Sequence, residues 1–203
     1  MMIVMPRLAG PAIPPGRLAR LAQPVLDLTD MALRPWQSSD VSAVVAAYSD
    51  PDIQHWHARS MTEAESRAWI DSWPARWAEE SGAGWAIADE AGLLGQISLR
   101  RLYLSDGIAE VSYWVVPAAR GRRVATSALS ALTAWAFARL DLHRLEVNHS
   151  TMNSASCRVA ENAGYAMEGT KRGEALHPDG WHDMHLHARL SSDPPREGRS
   201  SSN

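Results

Sequence analysis

The sequence predicts a mixed α/β fold of the α+β kind, in which helices flank one mostly antiparallel central sheet. Three observations predict it. Apolar stretches of strand length, "GWAIAD", "LLGQISLRRLYL" and "IAEVSYWVV", follow one another across the short turns "DEAGL" and "SDG", as consecutive antiparallel strands do. A long apolar helix pattern, "TSALSALTAWAFARL", then separates two further strand patterns. Finally "YAMEGT" and "WHDMHLHARL" meet through "HPDG", a closing hairpin.

Taken in order, "MALRPW" reads as a short strand. "SSDVSAVVAAYSD" reads as a helix with Val41, Val44, Val45 and Tyr48 on one face. "MTEAESRAWIDSW" opens on a capping box, Thr62 and Glu65. Trp69, Ile70, Trp73 and Trp77 make its apolar stripe, with a break near Pro74. After the three antiparallel strands, the last of which stops at Pro117, the long helix places Leu129, Leu132 and Ala136 on one side. "HRLEVNHS" is the next strand, and "NSASCRVAENAG" a helix that starts at Asn153 and is capped by Gly164. Residues 31–190 therefore form one domain. Residues 1–30, rich in Pro, Ala and Gly, read as a loose leader with a short helix around "GRLARLAQ", and residues 191–203 as a disordered tail.

The chain has 203 residues, 45% of them hydrophobic, and nine tryptophans, enough for a substantial core. A net charge of -3 excludes a general nucleic-acid binder, which would carry a strong basic excess. Lys171 is the sole lysine. The single cysteine, Cys157, excludes an internal disulfide and fits a reducing compartment. No apolar run reaches membrane-spanning length, and prolines break the apolar N-terminus. A cytoplasmic protein that binds neither nucleic acid nor membrane is expected.

The stretch "EVSYWVVPAARGRRVATSAL", residues 110–129, carries the chemistry. A strand ends at a proline, an Arg/Gly-rich turn follows, and a helix starts at once. Such a turn offers unpaired backbone N–H groups and the positive end of a helix dipole to phosphate oxygens. Arg120, Arg122 and Arg123 add charge, and Thr126 a hydroxyl. The turn matches neither a Walker pattern nor a dinucleotide fingerprint. A solvated basic turn is the plain alternative.

This segment resembles the pyrophosphate-binding motif of the GNAT superfamily of N-acetyltransferases, Arg/Gln-x-x-Gly-x-Gly/Ala, with Arg120 first and Ala125 last. The motif's middle glycine is Arg123 here, and Gly121 precedes it by two residues. The resemblance continues through "HRLEVNHSTMNSASCRVAENAGYAMEGTKR" into the RimJ/RimL type, which acetylates ribosomal-protein N-termini and has many relatives acting elsewhere. It covers about residues 30–190 and implies a single GNAT-like domain that binds acetyl-CoA.

The resemblance places the cosubstrate along Val115, Val116, Arg120, Gly121, Arg122, Arg123, Val124, Ala125, Thr126, Asn153 and Ser156. An amide near Val115 or Val116 would hold the thioester oxygen, and Ser156 would meet the departing sulfur. Asn153 would bond the pantetheine arm, and is also a plain helix cap. The base would be a glutamate acting through water: Glu110, Glu174 or, third, Glu168. Each is otherwise a solvated or ion-paired side chain. The expected acceptor is a protein or peptide N-terminal α-amine, with a small antibiotic or metabolite amine as the alternative, in a monomer or homodimer. A catalytically silent CoA-binding module and a metal-dependent hydrolase are the readings from other classes.

The histidines of "WHDMHLHARL" alternate on a strand: Asp183, His185 and His187 share one face, His182, Met184 and Leu186 the other. With Asp183 or His177 as third ligand they would make at most a permissive metal pattern, and acetyl transfer requires none. Structural alternation is therefore expected, with no metal, and His177 and His182 lining the acceptor groove. Trp56, His57, Trp69 and Trp73 should cover the acceptor side.

Overall fold

The protein is described over residues 10–194 by a computed structural model. Eight strands share one sheet: β1 (Leu26–Asp27), β2 (Ala32–Arg34), β3 (Ala83–Asp89), β4 (Gly92–Tyr103), β5 (Ile108–Val115), β6 (Arg144–Ser150), β7 (Ala166–His177) and β8 (Gly180–Leu190). Their spatial order is β1-β2-β3-β4-β5-β6-β8-β7. β5 and β6 run parallel, and the other neighbours are antiparallel. A parallel pair needs a crossover, and α5 (Val124–Leu140) supplies it. It buries Ala128, Leu129, Leu132, Ala136 and Leu140 against Ile97, Leu99, Val111, Leu145 and Val147, forming the main core.

The opposite face is covered by α1 (Val41–Ala47), α2 (Pro51–His57) and α3 (Glu63–Asp71), while α4 (Trp73–Ala78) also gives Trp77 to the main core. A smaller core there joins Val41, Val44, Tyr48, Ile53 and Ile70 to Trp114 of β5. The Thr62–Glu65 capping box forms as expected. The break expected near Pro74 falls at Ser72, and Pro74 sits in the first turn of α4, where its missing N–H costs no helical bond. Trp73 lies on Gly84 so closely that a Cβ there would come within 2.5 Å of its ring, so β3 requires glycine at this point.

Two regions differ from the sequence reading. Residues 10–30 are seated, although a loose leader was expected. Ile13 and Leu18 are buried in the main core, and the Glu80 carboxylate accepts from the amides of Gly16 and Leu18. The stretch "GRLARLAQ" forms turns and no helix. Residues 1–9 and most of the expected disordered tail lie outside the described residues. The second difference is α2. Its seven residues bury Ile53 alone, too little for a visible period.

The feature that positions the site is where β5 and β6 part. Their pairing runs from Ile108↔Arg144 to Val111↔Val147. Beyond it β5 stays with β4 as far as Gly95↔Val115, and β6 stays with β8 as far as Ser150↔Met184. The sheet opens between two parallel strands. α6 (Ser154–Asn162) begins at the mouth of that opening.

Candidate active site

A cleft of about 420 Å³ runs from the aromatic side chains of α2–α4 across the sheet to the start of α6. Trp56, His57, Trp69 and Trp73 line it at one end. Asn148, Ser150, Asn153 and Ser156 line it at the other. The structure brings the three proposed catalytic residues together here: Glu110, Ser156 and Glu174 border the same space. Glu168 is elsewhere. Arg144 forks its carboxylate and, ahead of an opposing burial effect, holds its pKa below the usual range.

Glu110 is buried, with 5% exposure, on the strand face shared by Ser112 and Trp114. Arg100 and Arg101 hold its two oxygens, the latter at 3.2 Å. Glu174 belongs to β7 and pairs with Lys171 at 3.2 Å. His57 completes this wall. Burial, aided by the nearby Arg100 charge, lowers its pKa to about 4 despite an opposing hydrogen bond to the Tyr113 carbonyl, so its ring is neutral at neutral pH. Sequence reading missed Arg100, Arg101 and Tyr113, because nothing in "SLRRLYL" or "VSYWVV" tells which side chains converge.

Ser156 and Asn153 are set by α6. The Asn153 side chain accepts from the Ser156 amide at 2.9 Å, so Asn153 is the helix cap and also faces the cleft. The Ser156 hydroxyl lies 2.8 Å from the Tyr113 hydroxyl. Burial pushes the Tyr113 phenol well above its ordinary pKa, so it stays protonated and can relay a proton to Ser156.

The end of β5 separates the two valines. The Val116 N–H donates to Leu94 O at 2.9 Å and is spent within the sheet. In an antiparallel ladder the next residue back points the other way. The amide of Val115 therefore faces the side that β6 has vacated.

The turn that follows leads directly into α5. Gly121 and Arg123 both adopt left-handed φ, +78° and +60°. Ser127 N–H to Arg123 O is the first rung of α5, which leaves the amides of Val124, Ala125 and Thr126 without partners inside the helix. The charges are less free than expected. Arg120 is held by Asp50 at 2.6 Å and Asp52 at 2.7 Å, and Arg122 by Asp89 at 3.2 Å. Burial opposes ionisation of Asp50 and Asp89, but hydrogen bonds from those arginines and from nearby amides bring both below the usual carboxylate range. The arginines thus brace the turn against α2 and the end of β3.

Of the groove histidines, His177 lines the cleft. His182 sits behind it, 2.8 Å from Ser150 Oγ and 3.0 Å from Asp179. Among the described residues no helix is long and apolar enough to cross a membrane.

The comparisons agree with this geometry. YdaF of Bacillus subtilis, named as a candidate ribosomal N-acetyltransferase, is 30% identical over 113 residues, 56% of this chain and 61% of its own length. The chain thus spans less than two thirds of that relative. RimL, a ribosomal L7/L12 α-N-protein acetyltransferase solved with coenzyme A, shares the fold. Its TM-score is 0.77 at 20% identity, over 84% of this chain and all of that one. The microcin self-immunity acetyltransferase MccE, solved with acetyl-CoA and AMP, superposes with TM-score 0.73 at 15% identity, over 80% and 93% of the two chains. The acetyltransferase (GNAT) domain family matches residues 30–166, most of the chain, and with the parted parallel strands and the turn into α5 this places the protein in the GNAT family.

Proposed function

We propose that the protein is an acetyl-CoA-dependent N-acetyltransferase acting on a primary amine, with a protein or peptide N-terminal α-amine as acceptor. The opening between β5 and β6 carries this reading. The Ser156–Tyr113 hydroxyl pair and the buried Glu110 border one cleft, and the Val115 amide faces the side of β5 from which β6 has parted. The cosubstrate assignment draws support from RimL and MccE, whose structures hold coenzyme A and acetyl-CoA.

In this reading the amine nitrogen attacks the thioester carbonyl carbon. The Val115 N–H donates to the oxygen as it gains negative charge. Glu110 or Glu174 takes the proton from the attacking nitrogen through a water. The C–S bond then breaks, and the sulfur receives a proton from the Ser156 hydroxyl, which Tyr113 resupplies. A small amine acceptor is the second reading, favoured by a cleft volume within the range of small-molecule sites, about 300–1,000 Å³.

Titration calorimetry with acetyl-CoA and a thiol-release assay against N-terminal peptides and polyamines test the proposal. Glu110→Gln or Glu174→Gln should lower kcat by about 10²–10⁴-fold, whichever is the base, with acetyl-CoA affinity changed by less than about twofold. Because Glu110 also neutralises two arginines, its variant needs a melting curve alongside. Ser156→Ala should slow thiol release. Wild-type turnover in both glutamine variants rejects the base assignment, and binding without transfer to any amine favours the silent module.

A further inference from the structure

We infer that His149, Cys157, His185 and His187 form a structural site for one zinc-class divalent cation, on the sheet face opposite the acceptor side of the cleft. One ligand atom from each lies within 4.8 Å of all the others. Three chain segments meet there. His149 and His185 are directly paired across β6 and β8, His187 lies two residues further along β8 on the same face, and Cys157 reaches down from α6.

The sequence reading weighed His185 and His187 with Asp183 or His177 as a third ligand. Neither joins them. The Asp183 carboxylate accepts from the Gly173 amide at 2.7 Å, and His177 belongs to another group. The real neighbours come from register and helix packing, which the sequence does not display.

The unpaired atoms point to a ligand. His149 is 5% exposed and His187 fully buried, yet His149 Nε2, His185 Nδ1 and His187 Nδ1 are buried without any hydrogen-bond partner. Unsatisfied buried polar atoms are rare and costly, and His149 Nε2 and His185 Nδ1, side by side across β6 and β8, call for a common partner. His149 Nδ1 contacts Ser150 O at 2.8 Å, so that nitrogen carries the hydrogen and Nε2 presents its lone pair. Such a backbone contact behind the ring is the usual outer-shell support of a metal-bound histidine. Cys157 Sγ lies 3.7 Å from His187 Nε2. Tetrahedral zinc, with Zn–N of about 2.0 Å and Zn–S of about 2.3 Å, would draw the ligand atoms to roughly 3.3–3.7 Å apart, a closure within side-chain adjustment.

The second histidine group makes the contrast. His182 has both ring nitrogens engaged, by Ser150 and Asp179, and His177 Nδ1 contacts the His55 carbonyl at 3.1 Å. These contacts occupy both nitrogens of His182 and one of His177. Bound metal in the first group would pin α6, and with it Ser156 beside Cys157, to the sheet.

The test uses the full, tag-free chain, stripped with chelator, reduced, and titrated with zinc against a chromogenic competitor. One equivalent should bind and raise the melting temperature. Cobalt(II) in its place should give a thiolate charge-transfer band that Cys157→Ser abolishes. His185→Ala should weaken zinc binding by about tenfold or more, while His55→Ala in the second group keeps full stoichiometry. Sub-stoichiometric binding, no thiolate band in the wild-type cobalt form, or loss of binding in His55→Ala instead of His185→Ala would overturn the site.

Discussion

Arg123 holds a backbone conformation that suits glycine. Its φ of +60° puts it in the left-handed region, where a Cβ costs about 1–2 kcal/mol. Glycine adopts this conformation without that cost, and Arg123 stands where the family motif has glycine. Arg123→Gly should keep the turn and raise stability by up to about 1 kcal/mol, once glycine's greater entropy loss is counted, which urea denaturation reads directly. If Arg123 reaches the diphosphate, the same variant should weaken acetyl-CoA more at low salt than at high. At this scale the sequence was informative about roles set by near neighbours in the chain, such as the glycine-like turn at Arg123 and the helix cap at Asn153. It was silent where a role depends on a distant neighbour. Arg120 looks free in the sequence, and its partners Asp50 and Asp52 lie about seventy positions earlier.

Among the elements, α2 ties the turn into α5 to the aromatic end of the cleft. Asp50 accepts from the Ile53 amide at 3.1 Å and from Arg120, so one side chain caps the helix and braces the turn into α5. Asp50→Ala should cost about 1–2 kcal/mol, most of it from the lost cap because the ion pair is partly solvated. Asp52→Ala, an exposed pair without a cap, should cost less than about 0.5 kcal/mol. Comparing the two denaturation curves separates cap from charge. The elements legible in advance were those with a long period or clear stops: the three-strand run, α5, α6 and the closing hairpin. α2 was not, because one buried residue in seven makes no pattern. Nor was the seating of residues 10–30, which depends on isolated Ile13 and Leu18 among prolines and glycines.

Across the whole molecule, acid should act in two stages. Burial lowers the pKa of His57, His149 and His187, so the folded state keeps them neutral while the unfolded chain takes up protons near pH 6.5. Their contribution is complete above about pH 6.5 and is lost as pH falls toward 4. For His57 the loss is of order 2–3 kcal/mol, reduced because its ring borders the cleft. Below about pH 4 the depressed carboxylates Asp50, Asp89 and Glu168 are protonated in turn, and stability falls further. Denaturation of the chelator-washed protein between pH 7.5 and 4.5 should show the first slope, and His57→Gln should flatten it. A flat profile there would reject the assignment of neutral buried rings.

At the largest scale, β1–β5 and β6–β8 are two rafts sewn together by four residue pairs. Whatever lodges where the stitching stops works as a splint across the whole body. In the proposed function occupancy and stiffness would then become one variable, with the empty molecule the more pliant of the two.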